Sequence, residues 1–466
     1  PRGVVRDARG GAAAQSDPMR LTLIQPAIGH RRGEPYIRSW QMEPLPIASL
    51  TALTPPWAEL RFYDDRLETI PYDEPTDAVA LPVETYTARR AYQIASEYRR
   101  RGVPVLMGGF HPTLVPDEAL RYAEAIVTGE AEGVWAELLD DLRHRTLRRH
   151  YRGTAGSLAG LATDRRLFEG KRYLPIGLIE TGRGCRFPCE FCAIQSFFER
   201  TYRARPPEDV VAELAAQRHR RRLFFFVDDN FAGDIRAGKA LLPRLAGLKL
   251  RWITQMSINA AHDEEFVAEM ARCGCRGVLI GFESLDQDNL RLMRKGFNTM
   301  RGGYGAALAN LRRYGIGVYG TFVFGYPNDT AASFDQAVDF AIEQGMYVAA
   351  FNHLTPFPGT SLYQRLRDEG RLRFAAWWLD PGYRYNDLPF KPARLSPQEI
   401  TQGCVAARRR FYAWSSILKR GLRNRADGFM FRNFLPINAL HRREISMRNG
   451  YPLGDEADTR ELLEVA

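Results

Sequence analysis

The sequence predicts an α/β protein in three parts. They are an N-terminal doubly wound parallel sheet, a central partial (β/α)6 barrel of the TIM type and a mostly helical C-terminal extension. Three observations carry this expectation. Short apolar runs alternate with helix-period stretches from residue 21 to about 145, and the runs end at glycine or acidic residues. A second series of six such runs recurs between residues 176 and 352. Beyond residue 374 the alternation stops, and aromatic and arginine-rich helical patterns replace it.

At 466 residues the chain has room for two or three domains and ample core. No run approaches the ~20 apolar residues that a membrane helix needs. The net charge is +10, with arginine runs at 99–101, 220–222 and 408–410. They are short and widely separated rather than gathered into one basic arm, which predicts solvated helix faces and argues against a nucleic-acid partner. Residues 1–18 are rich in Arg, Gly and Ala without an apolar core. They are expected to be a disordered leader or a vector-derived remnant, not a secretory signal.

In the first domain, residues 19–145, strands are expected over 21–25, 60–63, 78–83, 103–107 and 125–128. Helices are expected over 44–53, 88–101 and 134–145. Ligands of such sheets sit beyond the carboxyl ends of the strands, where this segment places Asp64, Asp65, Gly108, Gly109, Gly129 and Glu130. Residues 146–172 carry few apolar side chains and are expected to be a linker. The barrel is expected over 173–373, with strands at 176–179, 223–227, 252–256, 277–280, 317–324 and 348–352. Its catalytic face lies at the carboxyl ends of those strands. The extension, 374–466, contains Trp377, Trp378, Tyr383, Tyr385 and Asn386, expected to close the barrel mouth, and a helix over 396–414.

The first barrel strand runs into Cys185-Arg-Phe-Pro-Cys189-Glu-Phe-Cys192. The remaining cysteines, Cys273, Cys275 and Cys404, are scattered and expected to be buried small residues. No disulfide framework is implied, which fits a reducing cytoplasm. Iron–sulfur cubanes are normally held by four thiolates. Three leave one iron open to a ligand that is not protein. Structural zinc needs four ligands, and no histidine or fourth cysteine lies nearby.

The spacing, with Phe191 before the last cysteine, resembles the signature loop of the radical S-adenosylmethionine (SAM) superfamily. That resemblance implies a [4Fe-4S] cluster on Cys185, Cys189 and Cys192, with SAM on the open iron. It implies reductive cleavage of SAM to a 5′-deoxyadenosyl radical, fed by an external one-electron donor of the flavodoxin or ferredoxin type. It also places SAM contacts at the strand ends. Asp228 and Asp229 would receive the amino group, Gln255 and Ser257 would meet the ribose or carboxylate, and Phe324 would flank the adenine. The strand Gly277-Val-Leu-Ile-Gly281-Phe-Glu283-Ser284 matches the family's Gly-rich strand, with Glu283 on ribose hydroxyls or the amino group. His353, at the sixth strand end, is the candidate general base acting on a small-molecule substrate.

Gly108-Gly109-Phe110-His111-Pro112 and Gly129-Glu130-Ala131-Glu132 resemble the cobalamin-binding domain that precedes many such cores. The usual Asp-x-His-x-x-Gly motif is missing, because the matching strand end reads Asp64-Asp65-Arg66-Leu67-Glu68-Thr69. Arg66 stays protonated and cannot be a neutral nitrogen ligand, and His111 is expected to be structural. The domain either holds cobalamin without a protein ligand to cobalt or keeps the fold and binds none, the second being preferred. The expected reaction is therefore radical dehydration or rearrangement of a biosynthetic small molecule. The alternatives are cobalamin-dependent C-methylation and RNA modification.

Overall fold

The computed structural model describes residues 18–299, 303–424 and 428–465; the expected leader, but for Pro18, lies outside the described residues. The first sheet contains β1 (Met19–Gln25), β2 (Ala58–Asp64), β3 (Ala78–Pro82), β4 (Val105–Gly108), β5 (Ala125–Thr128) and β6 (His150–Arg152). All are parallel, in the order β2-β1-β3-β4-β5-β6, so the winding reverses between β1 and β3. A parallel sheet is covered on both faces, and the period-2 alternation of side chains shows how. Leu21, Leu23, Ala78 and Ala80 enter one apolar cluster, with Ile47 and Trp135. Ile24, Val79 and Leu81 enter the other, with Tyr92 and Ile94.

β6 lies within the stretch expected to be a linker. It has three residues and one buried side chain, Tyr151, too little apolar pattern to register as a strand in the sequence.

The second sheet contains β7 (Ile176–Ile179), β8 (Leu223–Phe226), β9 (Trp252–Gln255), β10 (Cys275–Glu283), β11 (Gly317–Phe324) and β12 (Val348–His353). Neighbours in sequence are neighbours in the sheet, all parallel. This is the partial barrel, with β7 and β12 as edges. In β11 the buried residues are Val318, Gly320, Phe322 and Phe324, and Phe322 stacks between Phe282 and Phe351. Tyr319, Thr321 and Val323 alternate with them and face the lumen. Helix Pro397–Phe411 covers the edge strand, burying the stripe Ile400, Cys404, Ala407 and Phe411.

The extension is helical, with Trp414–Arg423 and Gly428–Arg448 following that helix. Trp377 donates to the Pro356 carbonyl, just beyond the end of β12, at 2.9 Å, and packs with Trp378 and Tyr383. They belong to the apolar cluster on one face of the first sheet, and the Trp378 indole donates to Glu118 at 2.9 Å. Near its end the chain returns to the first domain, where Gly454–Asp455 pairs with Gly29–His30. No described helix is long and apolar enough to cross a membrane.

Candidate active site

The cysteine loop leaves β7 at the carboxyl-terminal face of the barrel and is anchored on several sides. Phe187 stacks on Phe297 at 3.9 Å. The Glu190 carboxylate accepts from Tyr326 (3.0 Å) and Arg365 (2.8 Å), and its amide donates to the Met293 carbonyl. Asn230 Nδ2 lies 3.6 Å from Cys185 Sγ. All three thiols are free, and they lie close enough to influence one another's ionisation. Burial pushes the Cys189 thiol up to about 12 and raises that of Cys192, so loading a cluster must displace their protons. Among the described residues no three His, Cys, Asp or Glu side chains close on a single ion. A cubane requires a wider set, since each thiolate takes a different iron.

The expected SAM contacts separate into two groups. Asp228 is fully engaged, because it accepts from the Thr181 amide (2.6 Å), the Thr181 hydroxyl and the Gly182 amide (3.2 Å). It fixes the turn out of β7. Gln255 Nε2 donates to the Asp228 carbonyl at 2.5 Å, and Ser257 is held by Asn230 through its amide (3.0 Å) and hydroxyl (3.2 Å). Ser284 caps Asp286. These side chains build the face. Asp229 accepts only from the Gly184 amide, at 2.8 Å, and burial pushes it to about 6.

Glu283 sits where β10 bulges against β11, with Phe282 as the extra residue and Glu283 at φ +63°. A non-glycine residue in that region is held there by its surroundings. Lys295 does the holding, donating to Glu283 at 2.6 Å and to the Gly281 carbonyl at 2.9 Å. A Cβ on Gly281 would stand 2.1 Å from the Glu283 carboxylate, so this glycine makes room for the ion pair. Asn298 adds bonds to the Gly281 and Phe282 carbonyls, both 3.1 Å. Sequence reasoning missed Lys295 and Asn298; they lie in a loop without a motif, and only the bulge brings them in.

Two expected residues point elsewhere. Phe324 packs on Phe334 at 4.4 Å, in the layer between sheet and helices, so it cannot flank an adenine in the lumen. His353 is its partner in register and shares that outward side. Burial, then the charge of Arg408, pushes its imidazole down to about 3, which favours the neutral ring. Phe191 is half-buried against the barrel core.

A cavity of about 240 Å³ opens at the carboxyl ends of β3, β4 and β5. Pro82, Met107, Gly108 and Val127 wall it on one side, and Phe197 and Phe198, from the helix that follows Cys192, close it on the other. Phe110 packs on Phe197 at 4.5 Å, and Arg183 bridges Glu180 to Glu130 and Glu132 across the seam. Glu84 lines the cavity with no cation beside it; burial, then the charge of Asp229, lifts it to about 7. A carboxyl raised in the folded state binds more protons there than in the unfolded chain, so its destabilising effect is absent below the ordinary carboxyl range and complete above about 7. The metal-free Glu84→Gln protein is accordingly expected to melt higher than the parent at pH 8, with the gap closing by pH 5 in a thermal-melt series.

Neither candidate cobalt ligand is available. Arg66 is clamped on Asp64 (2.8 and 2.6 Å) and on the Trp40 and Met42 carbonyls. His111 is buried between Glu118 (2.9 Å) and Thr85 (3.3 Å), as a structural histidine would be. Neither the turn at Asp64 nor His111 therefore offers a ligand to a cobalt ion. The cavity is walled mainly by apolar side chains, with Glu84, Glu130, Glu132, Glu180 and Arg183 also lining it. Several arginines of the three basic runs are neutralised: Arg99 pairs with Glu124, Arg101 with Glu97, Arg221 with Glu43 and Arg410 with Asp335.

Comparison with known proteins agrees with this geometry. Residues 179–341 match the model of the Radical SAM superfamily. The chain is 32% identical to bacteriochlorophyllide d C-12(1)-methyltransferase of Chlorobaculum tepidum, over 84% of this chain and 87% of that protein. It is 27% identical to hopanoid C-2 methylase of Rhodopseudomonas palustris, over 71% and 64%. The fold matches TsrM of Kitasatospora setae, a radical SAM methyltransferase solved with cobalamin and a [4Fe-4S] cluster, with a TM-score of 0.60 at 20% identity over 82% and 84%. It also matches the cobalamin-dependent enzyme OxsB solved with aqua-cobalamin and SAM, with a TM-score of 0.65 at 13% identity over 93% and 72%. Three thiols at the mouth of six βα units admit several chemistries, but sequence shared along most of both chains with such a relative does not: this protein is an enzyme of the radical SAM superfamily, whose members use a [4Fe-4S] cluster and SAM.

Proposed function

We propose that the protein is a cobalamin-dependent radical SAM C-methyltransferase acting on a small molecule. Methyl transfer, the alternative reading of the sequence, replaces dehydration or rearrangement. The carrying observation is the apolar cavity walled by the helix directly after Cys192; the methyltransferases among the relatives support it. When bound, the cluster supplies the electron that splits SAM, and the corrinoid supplies a carrier for the methyl group. The chain's own residues hold these groups at one seam. Cys185, Cys189 and Cys192 would hold the cluster, Asp229 and Glu283 would meet the SAM amino group and ribose, and the strand ends of the first sheet would hold the corrinoid. Glu84 can keep or release a proton between the cavity and Asp229 near neutral pH. Burial of the seam excludes water from reactive species.

Protein produced with hydroxocobalamin is expected to keep stoichiometric corrinoid through desalting. Reconstituted with the external electron donor of its family or dithionite, it should pass label from methyl-labelled SAM to an acceptor. Bacteriochlorophyllide d, which the Chlorobaculum relative's name specifies, is the first acceptor to try. Absence of corrinoid after desalting would return the reading to dehydration or rearrangement.

A further inference from the structure

On helix Pro397–Phe411, Arg408 lies beside the buried stripe and reaches round the unpaired edge of β12. Its Nη2 donates to Asn352 Oδ1 at 3.2 Å and to Asn386 Oδ1 at 3.3 Å. No carboxylate pairs with it among the described residues, and no protein acceptor takes its Nη1 or Nε. Two positions on, Arg410 shows the contrast, neutralised by Asp335 and Asp339. The charge of Arg408 reaches Tyr86, Tyr319 and His353, all neutral, while the other nearby arginine, Arg448, is already paired with Glu444.

Two buried nitrogens beside it also lack a partner. Asn386 Nδ2 and His353 Nδ1 are buried without a partner; Asn386 is 5% exposed and held at φ +77°. Arg408 is half-buried, and a cation without a counter-charge beside a buried unpaired amide is a place where an anion gains charge-assisted hydrogen bonds. Asn352 faces the lumen at the carboxyl end of the barrel, in register with Val323. That is the face on which substrate is worked.

We propose that Arg408 anchors a carboxylate carried by the substrate, with Asn352 and Asn386 setting the guanidinium plane. With Nη2 held by Asn352 and Asn386, Nε and Nη1 point to different sides of the guanidinium, and each can give a carboxylate oxygen one charge-assisted bond. One unneutralised cation suits a monoanion; a phosphate would call for more. The inference rests on the barrel-face substrate site of the proposed function and not on its methyl-transfer step.

The test uses reconstituted full-length protein and two acid–ester pairs, bacteriochlorophyllide d and protoporphyrin IX each against its methyl ester, with inorganic phosphate as a further ligand. Binding is read by titration calorimetry. At least one acid is expected to bind about 10- to 100-fold more tightly than its ester, the range of a charge-assisted hydrogen bond. Arg408→Gln should erase that preference, and Arg408→Lys should retain part of it. Equal binding of acid and ester, no binding by either acid, a preference unchanged in Arg408→Gln, or tighter binding of phosphate would each overturn the proposal. Corrinoid retention by the unmodified protein is scored separately, so failure here and failure of the methyl-transfer reading are distinguishable.

Discussion

Replacing Cys185, Cys189 or Cys192 by alanine is expected to bring 5′-deoxyadenosine formation from SAM and dithionite below detection. Each thiol would carry a different iron of one cubane, so losing any one opens a second coordination position and exposes the cluster to solvent. The surrounding loop should survive the change, because its anchors are other residues. Phe187 stays on Phe297, and Glu190 stays bound to Tyr326 and Arg365. Loss of activity should therefore come with loss of the cluster's absorbance and only a small change in melting temperature. Cys273→Ala is the control: that thiol is buried at the end of helix Glu264–Arg272, before β10 and away from the catalytic face, and its replacement should leave 5′-deoxyadenosine formation intact. Full activity in all three loop variants would remove the cluster from this loop.

The sequence carried the fold wherever burial is periodic. Each strand of the barrel and the first five of the amino-terminal sheet place several apolar residues in a short run, and each run is a strand in the structure. β6 escaped because it buries one side chain, and the Gly29–His30 pairing with Gly454–Asp455 escaped because two-residue strands form only through tertiary contact. At the site, contiguous features were legible and composite ones were not. The cysteine loop is a motif in eight residues. Glu283 was visible as the end of a glycine-bearing strand, but its partner Lys295 lies twelve residues on and meets it through a bulge that no local pattern announces. Alternation could have excluded Phe324 as a lumen residue, since Phe322 and Phe324 share one side of β11. Asp228 and Asp229 read alike in sequence, and only the turn out of β7 distinguishes the engaged carboxylate from the available one. The missing cobalt-ligand motif concerns only the turn at Asp64, whereas the cavity is formed by strand ends and by Phe197 and Phe198 of the barrel.

Lys295→Met is expected to destabilise the metal-free protein by ~3–5 kcal/mol, the cost of leaving the other half of a buried ion pair uncompensated. Lys295 and Glu283 are both more than nine-tenths buried. Burial works against the lysine's charge, but the Glu283 carboxylate outweighs it and raises its pKa. A raised lysine pKa contributes stability that is full below the ordinary lysine range and lost only above it, so the effect should be constant across neutral pH. Glu283→Gln should also destabilise, because it strands the ammonium group. The double variant Lys295→Met/Glu283→Gln should recover much of the loss, since a neutral pair carries no unpaired charge. Denaturant melts of the four proteins form a double-mutant cycle, and a coupling energy under ~0.5 kcal/mol would mean the two side chains act independently. Recovery of stability need not bring recovery of function. The amide introduced by Glu283→Gln cannot replace a carboxylate on the SAM amino group or ribose, so the double variant should fold, bind a cluster and cleave SAM poorly. That outcome would separate the pairing of Glu283 with Lys295, which closes the bulge, from the SAM contact proposed for it.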